Sequence, residues 1–224
     1  WDGRDQAVQA RRQRRLDRLV LDDRPLTDPD PAAMAAAMAE GVRAMGLACL
    51  PWTAELETLR RRVAFLAALD PDSNWPDLSD AALLAGLEDW LGPFLGGITR
   101  RAHLGRLDLA AALTALLDHD HRRRLDSLAP SHVTVPSGSR IAIDYSGDTP
   151  VLAVRLQEMF GCADGPLIAG GRVPLLLHLL SPARRPVQVT RDLASFWAGA
   201  YRQVRADLKG QYPKHWWPDD PMQA

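Results

Sequence analysis

Four potential ligands stand in a row at Asp118-His119-Asp120-His121, and carboxylates with imidazoles are the side chains that hold a divalent metal. His119 and His121 are two positions apart, however, so on a helix they point in different directions, and no other His or Cys cluster supplies the missing ligands. The tetrad reads as polar surface, with Arg122, Arg123 and Arg124 following it as pairing partners. Ser137 or Ser139, Asp144 and His178 include the side chains of a hydrolytic triad, but there is no Gly-x-Ser-x-Gly elbow. His178 lies in an apolar run, where a hydrogen-bonded core histidine is the simpler expectation. A Gly-x-x-x-x-Gly-Lys-Ser/Thr loop and an Asp-Glu-Ala-His box are both absent, so nothing here cradles nucleotide phosphates and no cofactor is expected on these residues.

What remains is cations in turns: Arg140 after Pro136-Ser137-Gly138-Ser139, Arg184 and Arg185 within Ser181–Pro186, and Lys214 with His215 in a proline-rich tail. Turns leave backbone N–H groups and hydroxyls unpaired, and cations beside them position phosphates without reading bases. Arg140 could equally pair with Asp144 or Glu158 and stitch its domain together. The tail Tyr212-Pro213-Lys214-His215-Trp216-Trp217-Pro218 interleaves aromatics with cations, which suits base stacking, or it packs back on its own domain.

The elements that must carry these residues form an α+β C-terminal unit. Val133 and Val135, then Ile141 and Ile143, alternate with polar neighbours and predict a hairpin over 132–145. Arg172–Leu180 and Pro186–Val189 predict a second strand pair. Between them Thr149-Pro150 resembles a helix start, with Leu152, Leu156, Met159 and Phe160 on one side and Arg155 and Glu158 on the polar side; a strand over 151–156 is the alternative. Leu193, Phe196, Trp197, Ala200, Tyr201, Val204 and Leu208 predict one long helix from a Thr190 cap to a Gly210 stop.

Upstream, residues 30–130 predict helices: Met34, Met38, Val42 and Met45 after Asp30-Pro31, then Leu56–Leu69, Leu83–Leu91 and Leu107–Leu117. The methionine stripe reads as core more readily than as a binding face. Arg60-Arg61-Arg62 reads as a solvated face. Arg4, Arg11, Arg12, Arg14, Arg15 and Arg18 fit either a phosphate-facing strand or an arginine-rich helix, with Leu19, Val20 and Leu21 expected to enter the core.

Composition bounds the class. With 46% hydrophobic and 25% charged residues the chain is globular, and no apolar run approaches a membrane span. Arg and Lys exceed acids by one over 1–29 and by two over 131–224, and fall short by four over 30–130. Such a mild imbalance predicts local contact with nucleic acid that depends on further domains. Cys49 and Cys162 form no motif and suit free thiols in a reducing cytoplasm. A first residue of Trp rather than Met suggests a piece of a larger protein.

Five blocks carry a family resemblance: Val-Pro-Ser-Gly-Ser-Arg-Ile (135–141), Leu-Ala-Val-Arg-Leu-Gln-Glu-Met-Phe-Gly (152–161), Ala-Gly-Gly-Arg-Val-Pro-Leu (169–175), Leu-Leu-Ser-Pro-Ala-Arg-Arg-Pro-Val-Gln-Val-Thr (179–190) and Tyr-Pro-Lys-His (212–215). In this order they resemble the C-terminal region of HrpB-type bacterial ATP-dependent helicases of the DEAH class. Leu-Pro-Trp-Thr (50–53) and Trp-Pro-Asp-Leu-Ser-Asp (75–80) resemble the preceding part of that region. The resemblance implies three parts: 1–29 as the last strands of an oligonucleotide-binding barrel, 30–130 helical, and 131–224 the α+β terminal domain. It further implies a parent that moves along RNA or DNA, with ATP and magnesium held by motor domains outside these residues. The expected role is to brace the motor or extend the nucleic-acid path; the alternative is docking of a protein partner.

Overall fold

The computed structural model describes residues 1–223. It comprises two compact units, residues 1–60 with 76–119 and residues 61–75 with 120 onward. No helix among the described residues is long and apolar enough to cross a membrane.

In the first unit the arginine-rich segment is extended, which decides between strand and helix. β1 (Arg11–Leu16) and β2 (Leu19–Pro25) pair antiparallel, joined across the ribbon by Arg11 and Asp23 at 2.7 Å. Leu19, Val20 and Leu21 do not enter the core as expected but are 62%, 45% and 56% exposed. A two-stranded ribbon needs a further layer to bury an apolar face, and the described residues supply none here.

Helix α1 (Pro31–Met45) begins where Asp30 accepts from the Ala32 and Ala33 amides, and it buries Met38, Ala39 and Val42. The methionine stripe is therefore core at Met38 and half-buried at Met34 and Met45. After α2 (Ala54–Leu69) the expected third helix is two, α3 (Asp80–Ala85) capped by Ser79 and α4 (Leu87–Leu91), broken at Gly86. Trp90 spans the break by donating its indole N–H to the Leu83 carbonyl at 2.9 Å. α5 (Leu109–Ala115) completes the unit, burying Leu109, Ala112 and Leu113.

The Arg60–Arg62 triplet is not the solvated face the sequence suggests. Within the first unit Arg60 lies 4.8 Å over the Trp52 ring, donates to the Leu78 carbonyl and pairs with Asp80. Within the second, Arg62 is buried and donates to the Ala129 carbonyl and to Asp126. Only Arg61 keeps the solvated-face character, beside a depression lined by Phe65 and Tyr145. A guanidinium can reach carbonyls that cap other segments while its stem is buried.

In the second unit the later half of α2 is followed by α6 (His119–Leu128), in which His121 stacks on Trp75 at 4.5 Å and its Nε2 lies 3.1 Å from the Ser73 carbonyl. Arg123 and Arg124 pair with Asp120, as their position suggests. The sheet follows: β3 (His132–Thr134), β4 (Arg140–Asp144), β5 (Val151–Arg155), β6 (Leu167–Ile168), β7 (Val173–Pro174), β8 (Leu176–Leu180) and β9 (Pro186–Thr190). Five of these make one sheet in the order β3-β4-β5-β8-β9, with β5 and β8 parallel and the other pairs antiparallel. β6 and β7 pair separately within the crossover.

A strand thus replaces the helix expected from Pro150. Leu152 and Val154 are buried while Ala153 and Arg155 are exposed, a period of two that satisfies β-branched residues between two neighbours. Leu156 and Met159 fall in a 3₁₀ turn that ends the strand. The last helix is likewise interrupted, into α7 (Leu193–Ala198), capped by Asp192 rather than Thr190, and α8 (Tyr201–Gln211), with Gly199 between them. Trp197 is half-buried, so the stripe is less continuous than its spacing implies.

Candidate nucleic-acid interface

Alternation along β4 and β5 places the chemistry on one face. Ile143 pairs with Leu152, both facing the core, so Arg140 and Ala142 share the opposite side with Ala153 and Arg155. Arg155 pairs with Leu180, the residue that leads into the β8–β9 turn carrying Arg184. Arg140, Arg155 and Arg184 consequently line one concavity of about 320 Å³, with Ala142 and Ala153 in its wall and Glu158 as its single acid.

Two turns hold the outer arginines. At the β3–β4 tip Gly138 takes φ 84°, its amide donates to the Val135 carbonyl at 2.8 Å, and Ser137 Oγ accepts from the Ser139 amide. In the β8–β9 turn Arg184 itself takes φ 59°, donating its amide to Ser181 O at 2.8 Å, while buried Ser181 accepts the Arg185 amide on its hydroxyl. Arg184 in the left-handed region divides it from its neighbour. Arg185 lines a different depression, near Asp207 and Tyr212.

None of the three guanidiniums makes an ion pair or hydrogen bond among the described residues, and the anticipated pairing of Arg140 with Asp144 or Glu158 is not formed. Glu158 instead accepts the Arg155 amide at 3.2 Å. Asp144 accepts the Ser146 amide, and hydrogen bonding to Ser146 holds its carboxyl below the ordinary range, helped by Arg61 and His178. Ser139 immediately precedes β4 and Asp144 ends it, about 16 Å away at ~3.3 Å per residue, so these two do not meet in a hydrolytic triad. His178 is half-buried on the same face as Ala153, not in the core.

The tail is packed back. Trp217 is buried and donates its indole N–H to Tyr212 O, Tyr201 donates to Pro218 O, and Arg205 binds the Trp217 carbonyl and Asp219. Lys214 and His215 are exposed on its turn, apart from the arginine concavity. Burial pushes the Cys49 and Cys162 thiols up, away from reactive thiolate. Of the five cations expected to contact nucleic acid, the fold brings Arg140 and Arg184 to one concavity and adds Arg155.

The family model for the ATP-dependent helicase C-terminal region, HrpB_C, matches residues 90–221, more than half of the chain. This chain belongs to the HrpB C-terminal family. It is 50% identical over 222 residues to the ATP-dependent RNA helicase HrpB of Escherichia coli strain K12, covering 99% of this chain and 27% of that protein. Among solved structures, the E. coli DExH-box NTPase HrpB is similar at a TM-score of 0.84 and 49% identity over 99% of this chain and 28% of that one. A crystal structure of the E. coli DEAH/RHA helicase HrpB is similar at 0.73 and 49%, over 92% and 26%. The chain thus spans about a quarter of the length of the HrpB relatives it matches. The α+β class and the family resemblance of the five sequence blocks both hold.

Proposed function

We propose that this chain is an accessory C-terminal region of an ATP-dependent RNA helicase, and that the Arg140, Arg155 and Arg184 concavity positions the phosphates of a single strand. The carrying observation is convergence without compensation. Arg43, Arg60, Arg62 and Arg205 each have a carboxylate partner, whereas these three face one hollow and pair with none, its single acid Glu158 accepting the Arg155 amide instead. A phosphate between them relieves their mutual repulsion and suits the planar donor fork. Alanine walls offer no hydrogen bond to a base edge, so the contact is indifferent to sequence and admits RNA or DNA. Lys214 and His215 extend the path in the tail, and Arg185 plays a separate, weaker part.

ATP and magnesium belong to motor domains of a parent helicase working in the cytoplasm, which this region braces. β1 and β2 supply strands to an oligonucleotide-binding barrel, a reading supported by the bare apolar side chains of Leu16, Leu19 and Leu21. The same bare leucines favour the second reading, docking of a protein partner. Salt separates the two. Binding of a single-stranded RNA oligomer to the Arg140→Ala/Arg155→Ala/Arg184→Ala variant should weaken, with the slope of log affinity against log salt shallower by about 2, at ~0.7 per phosphate contact. An unchanged slope and affinity would abandon the phosphate path and leave the docking module.

A further inference from the structure

We infer that Trp216 is a stacking platform for one base of the single strand whose phosphates lie in the arginine concavity, and this rests on the reading just proposed. Trp216 is 56% exposed. Trp52, Trp90, Trp197 and Trp217 each donate their indole N–H to a backbone carbonyl; Trp1, Trp75 and Trp216 do so to nothing among the described residues, and of these Trp75 is buried, Trp1 half-buried and Trp216 exposed. Its position is nevertheless fixed. Gln157 donates its side-chain amide to the Trp216 carbonyl at 3.2 Å, and the ring meets buried Phe160 edge-on at 5.7 Å. Phe160 in turn touches Trp197 and Tyr201, so Trp216 is the outermost ring of an aromatic cluster whose inner members are packed.

The chain connects this ring to the concavity. Arg155 ends β5, the 3₁₀ turn Leu156–Met159 follows, and Gln157 within that turn is the residue holding Trp216. At ~2 Å of rise per residue Gln157 stands about 4 Å along the turn from Arg155. Glu158 O also accepts the Ser137 amide from the hairpin tip beside Arg140, fixing the turn at both ends. Lys214 and His215 immediately precede the ring and are exposed. A preordered indole beside cations loses little freedom when a base stacks, and any base offers a face.

The test compares an adenosine oligoribonucleotide with an abasic ribose-phosphate oligomer of equal length and charge, bound to the full chain. Wild type should prefer the adenosine oligomer. Trp216→Ala should remove that preference by weakening the adenosine oligomer about 10-fold or more, leave the abasic oligomer unchanged and keep the melting temperature, while Trp216→Phe retains most of it. If Trp216→Ala leaves adenosine affinity untouched while the triple arginine variant weakens both oligomers, stacking is refuted and the phosphate path survives. If neither oligomer binds wild type, the phosphate path fails and the stacking proposal with it, leaving the exposed indole to a protein contact.

Discussion

Arg43 on α1 donates both ends of its guanidinium to the two carboxylate oxygens of Glu88 on α4, at 2.7 and 2.8 Å. That fork holds the Glu88 carboxyl down to about 2, below its ordinary value of 4.5. A depressed carboxyl contributes its stability above the unfolded value and loses it as pH falls through the folded one. Melting temperature measured between pH of about 5 and about 2 should therefore fall, and the Glu88→Gln protein should fall less steeply. Parallel curves would show that the fork does not couple protonation to folding.

The Trp1 ring occupies the space that a side chain at Gly41 would need. Gly41→Ala in a helix interior would ordinarily stabilise by about 1 kcal/mol, but here it forces the indole aside at an overpacking cost of about 1 to 3 kcal/mol. Chemical denaturation should show a net loss or no gain. In a Trp1→Ala background the same change should stabilise, and a double-mutant cycle without coupling would mean that the ring moves freely.

Arg62 and Asp126 form an asymmetric pair, one side chain buried and the other 85% exposed. Arg62→Ala leaves the Ala129 carbonyl without its donor and should cost about 1 to 3 kcal/mol. Asp126→Asn should cost less than about 1 kcal/mol, since an exposed partner is screened. Equal losses in urea titrations would assign the stability to the ion pair and not to the carbonyl.

Tyr201 donates its hydroxyl proton to Pro218 O at 2.8 Å, and burial raises its ionisation to about 12 from the ordinary 10.0. The folded protein then holds that proton while the unfolded chain releases it, so stability should fall from pH of about 10 to about 12. Tyr201→Phe should cost about 1 kcal/mol at neutral pH and flatten that alkaline limb. A limb as steep in Tyr201→Phe as in wild type would place the titration elsewhere, with buried Tyr145 the next group to replace.

Turn chemistry made two of the three concavity arginines legible. Pro136-Ser137-Gly138-Ser139 announced the tip that presents Arg140, and Ser181–Pro186 announced the turn that presents Arg184. Arg155 was hidden because Leu152, Leu156, Met159 and Phe160 satisfy helical spacing as well as Leu152 and Val154 satisfy a strand, and a short apolar run cannot separate them. Arg185 lines a separate depression, which sequence adjacency could not show because the left-handed φ at Arg184 parts the two side chains. Arg62 read as surface because its partners, Ala129 and Asp126, lie more than sixty residues away. Trp216 carried a signal, an aromatic among Lys and His, but only burial distinguishes it from Trp217.

The second unit is assembled from two separated stretches, with residues 76–119 belonging to the first. During synthesis residues 61–75, the later half of α2 and the turn after it, emerge before the residues they pack against, which include Asp126 for Arg62, Tyr145 for Phe65 and His121 for Trp75. At about 5 to 20 residues per second, the intervening 44 or so residues take roughly 2 to 9 s. Through that interval Phe65 and Trp75 lack those ring partners, so the nascent chain passes through a stage at which a chaperone has both the time and the apolar surface to act.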